Sequence, residues 1–287
     1  MPVEHYHSPH SVLEALDHLR DGDVTILAAG TDLMVQMHAG RARLKSTLMN
    51  IRHLDELHAV TREGEGVRIG ALCTISELLH EALLREHFDV LVQACDHFAS
   101  DQLRNSATLG GNVCNASPAG DTLVPLLLLD AQVELQCKPN GSVQTRRVPL
   151  AEFITGPGKT TRAPHELVCA LWLPMAPKGF VGKFYKFGTR PALDISAISI
   201  GIGGVRCGSS LSQVRLAYGA VAATPMRARA AEAALEGQTL DAARIAAVAA
   251  LARDEVHPID DVRASAWYRR ELVFNMTQRM LQDVAQS

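Results

Sequence analysis

The stretch at residues 104–122, RNSATLGGNVCNASPAGDT, constrains the fold of this chain more than any other segment. Its small, mostly uncharged residues are not those that build a core, and glycines such as Gly110 and Gly111 let a backbone approach a neighbouring group closely. A run of this length is costly to order unless something fills it. Exposed backbone N–H groups in such segments form concave sites for anions, so we predict a loop that binds an anionic ligand.

A second segment of the same character, AAGTDLM at residues 28–34, directly follows the apolar run VTIL. We interpret the two segments as loops that face one ligand, and we expect this ligand to carry a pyrophosphate. On its own, the shorter segment also fits an ordinary turn between packed elements. Asp121, near the end of the longer stretch, fits either a hydrogen bond to the ligand or a cap of the helix that starts at Thr122.

Length, charge and cysteine spacing argue against several classes of protein. The 287 residues suffice for two or more domains, and the net charge of −3 without a basic block argues against a nucleic-acid binder. We find no apolar run of about 18 residues that could span a membrane and no signal-peptide pattern at the N-terminus. The six cysteines are widely spaced, which is typical of free thiols in a reducing cytoplasm rather than of disulfides or a zinc site.

The order of apolar runs and breakers predicts three units. Short strands, including residues 24–27, alternate with helices in the first unit, where a helix over residues 8–20 is expected to be capped by Ser8. The second unit contains a single helix over residues 76–87 and several strands. After the Pro-Gly stretch at 174–179, strands and then helices follow, so the last unit is α+β.

Two glycine-containing motifs do not satisfy their functional patterns. The segment GPGKT at residues 156–160 resembles the end of a P-loop, but Phe153 stands where the first glycine of that motif belongs, so we interpret the segment as a loop between elements. The glycines at residues 201–204 lack the third glycine of a dinucleotide fingerprint. Because they lie inside a strand pattern, we predict close strand packing or a bulge there.

The sequence offers no convincing catalytic or metal-binding residue. His53 and His58 miss the spacing that places two metal ligands on one helix face, and we expect them to be surface histidines. Cys114 lies inside the glycine-rich stretch but has no visible partner base. We therefore interpret it as a small packed residue rather than a nucleophile.

Three segments resemble the FAD-binding (medium) subunits of the molybdenum hydroxylases, the family that includes those of xanthine dehydrogenase and carbon monoxide dehydrogenase. ILAAGTDLMVQM resembles their first flavin loop, and HFASDQLRNSATLGGNVCNASPAGDT resembles their second, with its TxGGN core followed by ASPxxD. KFYKFGTRPALDIS and the helix-rich end resemble their C-terminal domain. The likeness covers nearly the whole chain, and the second motif is specific.

The resemblance implies an α+β fold of the p-cresol methylhydroxylase (PCMH) and vanillyl-alcohol oxidase type. Two α/β subdomains, at residues 1–57 and 58–175, would hold FAD between them, and a C-terminal domain of the molybdenum-hydroxylase flavoprotein type would occupy residues 176–287. Some relatives carry an inserted cysteine-rich loop with an extra iron–sulfur cluster. The sequence between Cys114 and Cys137 is too short for such an insert, so we expect none.

The resemblance also assigns cofactor-binding residues. The first pyrophosphate loop corresponds to Leu27, Ala28, Ala29, Gly30, Thr31, Asp32, Leu33 and Met34, and the second to Thr108, Leu109, Gly110, Gly111 and Asn112. Phe98 matches an aromatic residue near the flavin, Asp121 the acid that bonds the cofactor, Val168 an apolar contact and Lys186 a lysine near the flavin.

By this resemblance the chain is expected to transfer electrons rather than to hydroxylate a substrate. It would receive electrons from a small subunit with two [2Fe–2S] clusters, which takes them from a large molybdopterin subunit. The whole complex would be a dimer of heterotrimers. It would pass them to NAD⁺ or another acceptor. Two alternatives stay open at this point, a free-standing flavin oxidase and a non-catalytic nucleotide-binding assembly protein.

Overall fold

The computed structural model describes residues 3–20, 22–190 and 193–286. Pro191 and Ala192, which belong to the third resembling segment, lie outside the described residues. Within the described ranges, the chain forms one parallel sheet, two larger antiparallel sheets and a two-stranded hairpin, with helices packed between and around them.

The first sheet is parallel and has the strand order β1-β3-β2. Its elements are β1 (His5–His7), α1 (Val12–Leu19), β2 (Val24–Leu27), α2 (Leu33–His38) and β3 (Thr47–Asn50). The prediction of β2 is confirmed to the residue. The predicted cap at Ser8 is wrong, because the Ser11 side chain accepts the hydrogen bond from the Glu14 N–H and α1 starts at Val12. This helix buries its apolar face against the first sheet.

The second sheet has five antiparallel strands in the order β4-β5-β10-β6-β7. The strands are β4 (Val60–Glu63), β5 (Gly66–Gly70), β6 (Gln132–Cys137), β7 (Gln144–Pro149) and β10 (Leu167–Pro174). The short strands β8 (Ile154–Gly156) and β9 (Lys159–Thr160) pair as a hairpin. This hairpin contains the GPGKT segment, so the interpretation of that segment as a plain loop is wrong, although it is not a P-loop either.

Seven helices belong to the region between β5 and β8, and all except the short helix at 101–104 contribute buried residues to the main core that they form with the second sheet. They are α3 (Ile75–His80), α4 (Ala82–His87), α5 (Asp89–Asp96), α6 (Asp101–Arg104), α7 (Leu109–Asn115), α8 (Leu123–Leu128) and α9 (Leu150–Phe153). The single helix expected over residues 76–87 is interrupted at Glu81, where the backbone is extended at ψ 118°. The Glu81 side chain accepts a hydrogen bond from the Leu83 N–H and so starts the next helix.

The glycine-rich stretch is not one loop, contrary to the sequence interpretation. It contains α7, and the Thr108 side chain caps this helix by accepting a hydrogen bond from the Gly111 N–H at 3.1 Å. Leu109 and Val113 are fully buried, so the stretch contributes to the core after all. Gly110 and Gly111 are helical and do not use a positive φ.

The C-terminal region forms a four-stranded antiparallel sheet, in the order β11-β12-β13-β14, covered by three helices. The strands are β11 (Phe180–Phe187), β12 (Ile198–Cys207), β13 (Ser210–Gly219) and β14 (Met226–Arg227), and the helices are α10 (Arg229–Leu235), α11 (Ala242–Glu255) and α12 (Ala266–Gln286). The glycines at residues 201–204 lie in β12. A Cβ on Gly203 would lie 2.6 Å from the Phe180 ring, which confirms the predicted close packing.

A buried hydrogen bond in this region gives a test of the fold. The Tyr218 and Thr277 hydroxyls lie 2.8 Å apart, and both residues are fully buried between β13 and α12. Thr277→Val leaves the Tyr218 hydroxyl without a partner, so we expect the free energy of unfolding in urea to fall by about 1–3 kcal/mol. The double variant Tyr218→Phe/Thr277→Val removes both polar groups and should recover most of this loss. A double variant as unstable as the single one would contradict the assignment.

Candidate functional site

A cleft of about 460 Å³ lies between the first sheet and α7. One wall is formed by β2 and the segment that follows it, and α7 forms the opposite wall. Residues of the hairpin and of β10 close a third side. The lining residues outside the predicted set include Thr25, Ile26, Gln36, Arg43, Lys45, Ile51, Ala71, Leu72, Ala107, Cys114, Asn115, Gly158, Thr160, Arg162 and Leu167.

The wall after β2 depends on Gly30. Its φ is +75°, a conformation that L side chains rarely adopt, and a Cβ there would lie 3.0 Å from Leu27 Cδ1. The chain can therefore turn away from β2 and start α2 directly beside the cleft. The pKa of Asp32 in this turn is raised by desolvation between the walls.

The opposite wall depends on the contact between α7 and the chain that leaves β5. The Gly110 N–H donates to the Ala71 carbonyl oxygen at 2.8 Å, and a Cβ on Gly110 would lie 2.7 Å from Ala71 Cβ. Glycine is needed here for close packing rather than for a left-handed turn. Behind this wall, the buried Thr122 hydroxyl donates to Asn112 Oδ1 at 2.7 Å and fixes the amide.

A side-chain hydrogen bond connects the two walls. Gln36 Nε2 on α2 donates to Asn115 Oδ1 on α7 at 2.7 Å. Both residues line the cleft, and α2 has no buried residue of its own. This bond therefore contributes to the position of α2 over the cleft.

Most of the predicted cofactor-binding residues lie together in this cleft. The lining includes the predicted residues Leu27, Ala28, Ala29, Gly30, Thr31, Asp32, Leu33, Phe98, Thr108, Gly110, Gly111, Asn112 and Val168. Four others are not among the lining residues. Met34 is exposed on α2 and Leu109 is buried in the core, whereas Asp121 and Lys186 form an ion pair elsewhere. The assignment of all these residues to a cofactor stays a prediction.

The ion pair between Asp121 and Lys186 connects the turn before α8 with β11. Lys186 Nζ lies 2.7 Å from Asp121 Oδ2 and also donates to the His97 carbonyl oxygen at 3.1 Å, next to the cleft residue Phe98. Both side chains are largely buried, and burial raises the pKa of Asp121 to about 6 although Lys186 opposes this shift. Within the described ranges, Asp121 Oδ1 is buried without a hydrogen-bond partner.

Sequence reasoning missed several cleft residues. Gly158 and Thr160 belong to the GPGKT hairpin, which carried no recognised function. Cys114 was expected to be packed, but its side chain is exposed within the cleft, whose walls raise the pKa of the thiol to about 11. Such a thiol stays protonated near neutral pH, and the expectation that Cys114 is not a nucleophile stays a prediction. No sequence pattern pointed to Arg43, Lys45 or Arg162.

The described part of the chain offers neither a metal-binding cluster nor a membrane-spanning helix. It contains no group of three or more His, Cys, Asp or Glu side chains arranged to hold a metal ion. The six cysteines are free. Among the described helices, none is both long and apolar enough to cross a membrane.

Comparison with known proteins gives matches along nearly the whole chain. A family model described as the FAD binding domain in molybdopterin dehydrogenase matches residues 2–176, and one described as the CO dehydrogenase flavoprotein C-terminal domain matches residues 183–284. The xanthine dehydrogenase FAD-binding subunit of Escherichia coli O157:H7 is 32% identical over 281 residues, which cover 97% of this chain and 94% of that protein. The carbon monoxide dehydrogenase medium chain of Hydrogenophaga pseudoflava is 29% identical, with 98% and 96% covered.

Solved structures agree with these matches. A carbon monoxide dehydrogenase from Hydrogenophaga pseudoflava has a chain with a TM-score of 0.90 and 28% identity, covering 97% of this chain and 96% of that one. Quinoline 2-oxidoreductase from Pseudomonas putida 86 has a TM-score of 0.90 and 25% identity, with 99% and 98% covered. The expected α+β fold with a PCMH-type FAD-binding region is confirmed.

The buried ion pair predicts a pH dependence. Because the pKa of Asp121 is raised to about 6 in the folded chain, above the value of about 3.9 for an unfolded aspartate, the folded state binds this proton more tightly. The contribution of Asp121 to stability should therefore become less favourable as the pH rises from about 4 to about 6.

Carboxyl ¹³C NMR of the ligand-free chain should show one aspartate signal that titrates with a pKa of about 6. This signal should be missing in the Asp121→Asn variant. Asp261, whose pKa is lowered to about 2 by hydrogen bonds from Arg269 and nearby backbone N–H groups, serves as an internal control. If Asp121 titrated at or below the pKa of an unfolded aspartate, the charge of Lys186 would outweigh the effect of burial. The expectation of a raised pKa would then be wrong.

Proposed function

The chain belongs to the family of FAD-binding medium subunits of molybdenum hydroxylases, and from this premise we propose that it is the electron-transfer subunit of a multi-subunit enzyme. In this proposal it accepts electrons from the [2Fe–2S] clusters of a small partner subunit and passes them to NAD⁺ or another acceptor. The substrate is oxidised on a large molybdopterin subunit. The chain itself is an oxidoreductase component that carries FAD.

Two observations support the cleft as the FAD site. The matched FAD-binding domain, residues 2–176, contains every residue that lines the cleft. The two walls also bring together the segments around Gly30 and Gly111, which lie far apart in the sequence but resemble the two flavin loops. The meeting of these two segments in one cleft is the observation that carries the proposal.

When bound, FAD supplies redox chemistry that exchanges electrons between one-electron and two-electron carriers. The residues of the chain bind and orient it. Phe98 offers an aromatic surface and Val168 an apolar contact, whereas the segments around Gly30 and Gly111 offer backbone that a ligand can approach closely.

The unpartnered Asp121 Oδ1 supports the proposed role of this acid. A buried carboxylate oxygen without a hydrogen bond is unfavourable, and a donor from the cofactor, such as a hydroxyl or a ring N–H, would satisfy it. Lys186 holds the other oxygen and would keep the carboxylate oriented toward that donor. We therefore retain both residues in the proposed site, although neither is among the residues that line the cleft.

A second pocket, of about 420 Å³, supports a place for an electron acceptor. It lies beside Lys186, and its lining combines Ser100, Arg104 and Arg190 with the carboxylates of Asp96, Asp101 and Asp194. Hydroxyl and guanidinium groups bind the phosphates and hydroxyls of a soluble carrier such as NAD⁺. The position next to Lys186 would bring such a carrier close to the flavin end of the site.

The names of the relatives support the proposed partners. They include a medium chain of carbon monoxide dehydrogenase and a medium subunit of nicotine 6-hydroxylase. We propose that a large molybdopterin subunit and a small [2Fe–2S] subunit assemble with this chain as a dimer of heterotrimers. The free cysteines agree with a place in the cytoplasm.

Filling the cleft tests the cofactor site. Cys114→Trp places an indole ring in the cleft from a side chain that is exposed rather than packed, so the core should remain intact. We expect the purified variant to lose its bound FAD, measured by flavin absorbance per chain. The control is Cys207→Trp, which adds the same ring at an exposed position outside the cleft and should bind FAD as the wild type does. Equal FAD content in both variants would contradict the site.

Anaerobic reduction tests the electron acceptor. We expect NADH to bleach the flavin absorbance of the FAD-loaded chain within seconds, because we propose that the pocket beside Lys186 binds this nucleotide. Dithionite serves as the control for complete reduction. Bleaching by dithionite but not by NADH would contradict NAD⁺ as the acceptor. Another carrier would then accept the electrons from the flavin.

A further inference from the structure

The cleft carries an excess of positive charge that the flavin-loop resemblance does not account for. Arg43, Lys45 and Arg162 line it, whereas Asp32 is the carboxylate among the described lining residues. The formal excess is two positive charges in a chain whose net charge is −3. A positive cleft in an acidic chain indicates a ligand with negative charge.

Hydrogen bonds hold the Arg162 guanidinium in place, but no carboxylate among the described residues neutralises its charge. Its Nη1 donates to the carbonyl oxygens of Ala163 at 3.2 Å and Glu166 at 2.7 Å. The Glu166 carboxylate is engaged by Arg146, whose Nε and Nη2 lie 2.5 and 2.8 Å from its two oxygens. Within the described part of the chain, Nε and Nη2 of Arg162 have no partner, so the guanidinium is held in place with two donors available to a ligand.

The other two cations also lack a carboxylate partner among the described residues. Lys45 Nζ donates to the Gly22 carbonyl oxygen at 2.5 Å, and the Lys45 N–H donates to Thr25 Oγ1 at 2.8 Å. These contacts fix the residue beside β2 but involve neutral acceptors. Arg43 is exposed, and no hydrogen bond or ion pair within the described residues holds its guanidinium.

We propose that Arg43, Lys45 and Arg162 form a counter-charge for the diphosphate of the bound dinucleotide, so that the cleft selects a diphosphate-bearing flavin over riboflavin. The two negative charges of a diphosphate match the excess charge of the lining. Arginine and lysine bind phosphate oxygens with charge-assisted hydrogen bonds, which are stronger than those from neutral backbone groups. The inference rests on the proposed FAD site and adds the residues that determine its selectivity.

The test compares two ligands that differ in the diphosphate. The flavin-free full-length chain is titrated with FAD and with riboflavin at several salt concentrations. The variants are Arg162→Gln and the double variant Arg43→Gln/Lys45→Gln. We expect each to weaken FAD binding about tenfold or more and to reduce its dependence on salt, while riboflavin binding stays unchanged. Lys159→Gln, an exposed residue of the same hairpin that does not line the cleft, is the matched control and should bind FAD as the wild type does.

The outcomes separate this inference from the proposed function. If the wild type does not take up FAD, the proposed FAD site is wrong. If the wild type binds FAD and the variants bind it equally well, only the counter-charge is wrong. An equal loss for riboflavin would show that the cations shape the cleft and would also overturn the inference.

A second measurement does not depend on the folding of any variant. Inorganic pyrophosphate should compete with FAD for the wild-type chain when the ionic strength is kept constant with sodium chloride. Its competition with riboflavin should be weaker, because riboflavin does not need the cationic residues. No competition with FAD would overturn the proposal.

Discussion

The contact between Gly110 and Ala71 determines where the cleft can form. A backbone hydrogen bond of 2.8 Å joins the two residues, and any Cβ on Gly110 would meet the backbone of Ala71. Further backbone bonds run from Leu109 N–H to the Cys73 carbonyl and from Ile75 N–H to the Ala107 carbonyl. With α7 fixed in this way, Leu109 is buried in the core, while Gly111 on the adjacent face is left to line the cleft.

The sequence predicts the elements whose signals are local. Val24–Leu27 forms the strand expected from its apolar run. The sequence does not predict α7, because glycine and asparagine are poor helix formers. That helix exists because the Thr108 cap and the bonds to the chain after β5 satisfy its first N–H groups. Tertiary contacts thus outweigh local propensity at the centre of the site.

The candidate site was predictable to the extent that its residues cluster in two segments. The ligand was predicted from the likeness of these segments to known flavin loops rather than from their composition. Arg162 could not be predicted in the same way, because its role depends on the capture of the Glu166 carboxylate by Arg146, a residue on β7. Cys114 was misjudged because helical geometry turns it toward the cleft, and that helix was not expected.

The C-terminal sheet is attached to the FAD-binding region through polar contacts as well as through a shared core. Gln93 Oε1 on α5 accepts the Phe184 N–H at 2.8 Å, and Arg215 Nη1 donates to the Leu128 carbonyl oxygen at 2.6 Å. Phe184 and Ala217 belong to the main core. The FAD-binding region and the C-terminal sheet are therefore packed together as one body.

The hydrogen bond between Gln36 and Asn115 has a consequence for the mobility of the cleft. α2 buries none of its residues, and a side-chain hydrogen bond of this kind contributes about 1 kcal/mol net. Lifting α2 away from α7 would break that bond but leave the three apolar cores intact. Such local opening requires far less free energy than global unfolding. The width of the cleft between α2 and α7 can thus fluctuate while the chain stays folded.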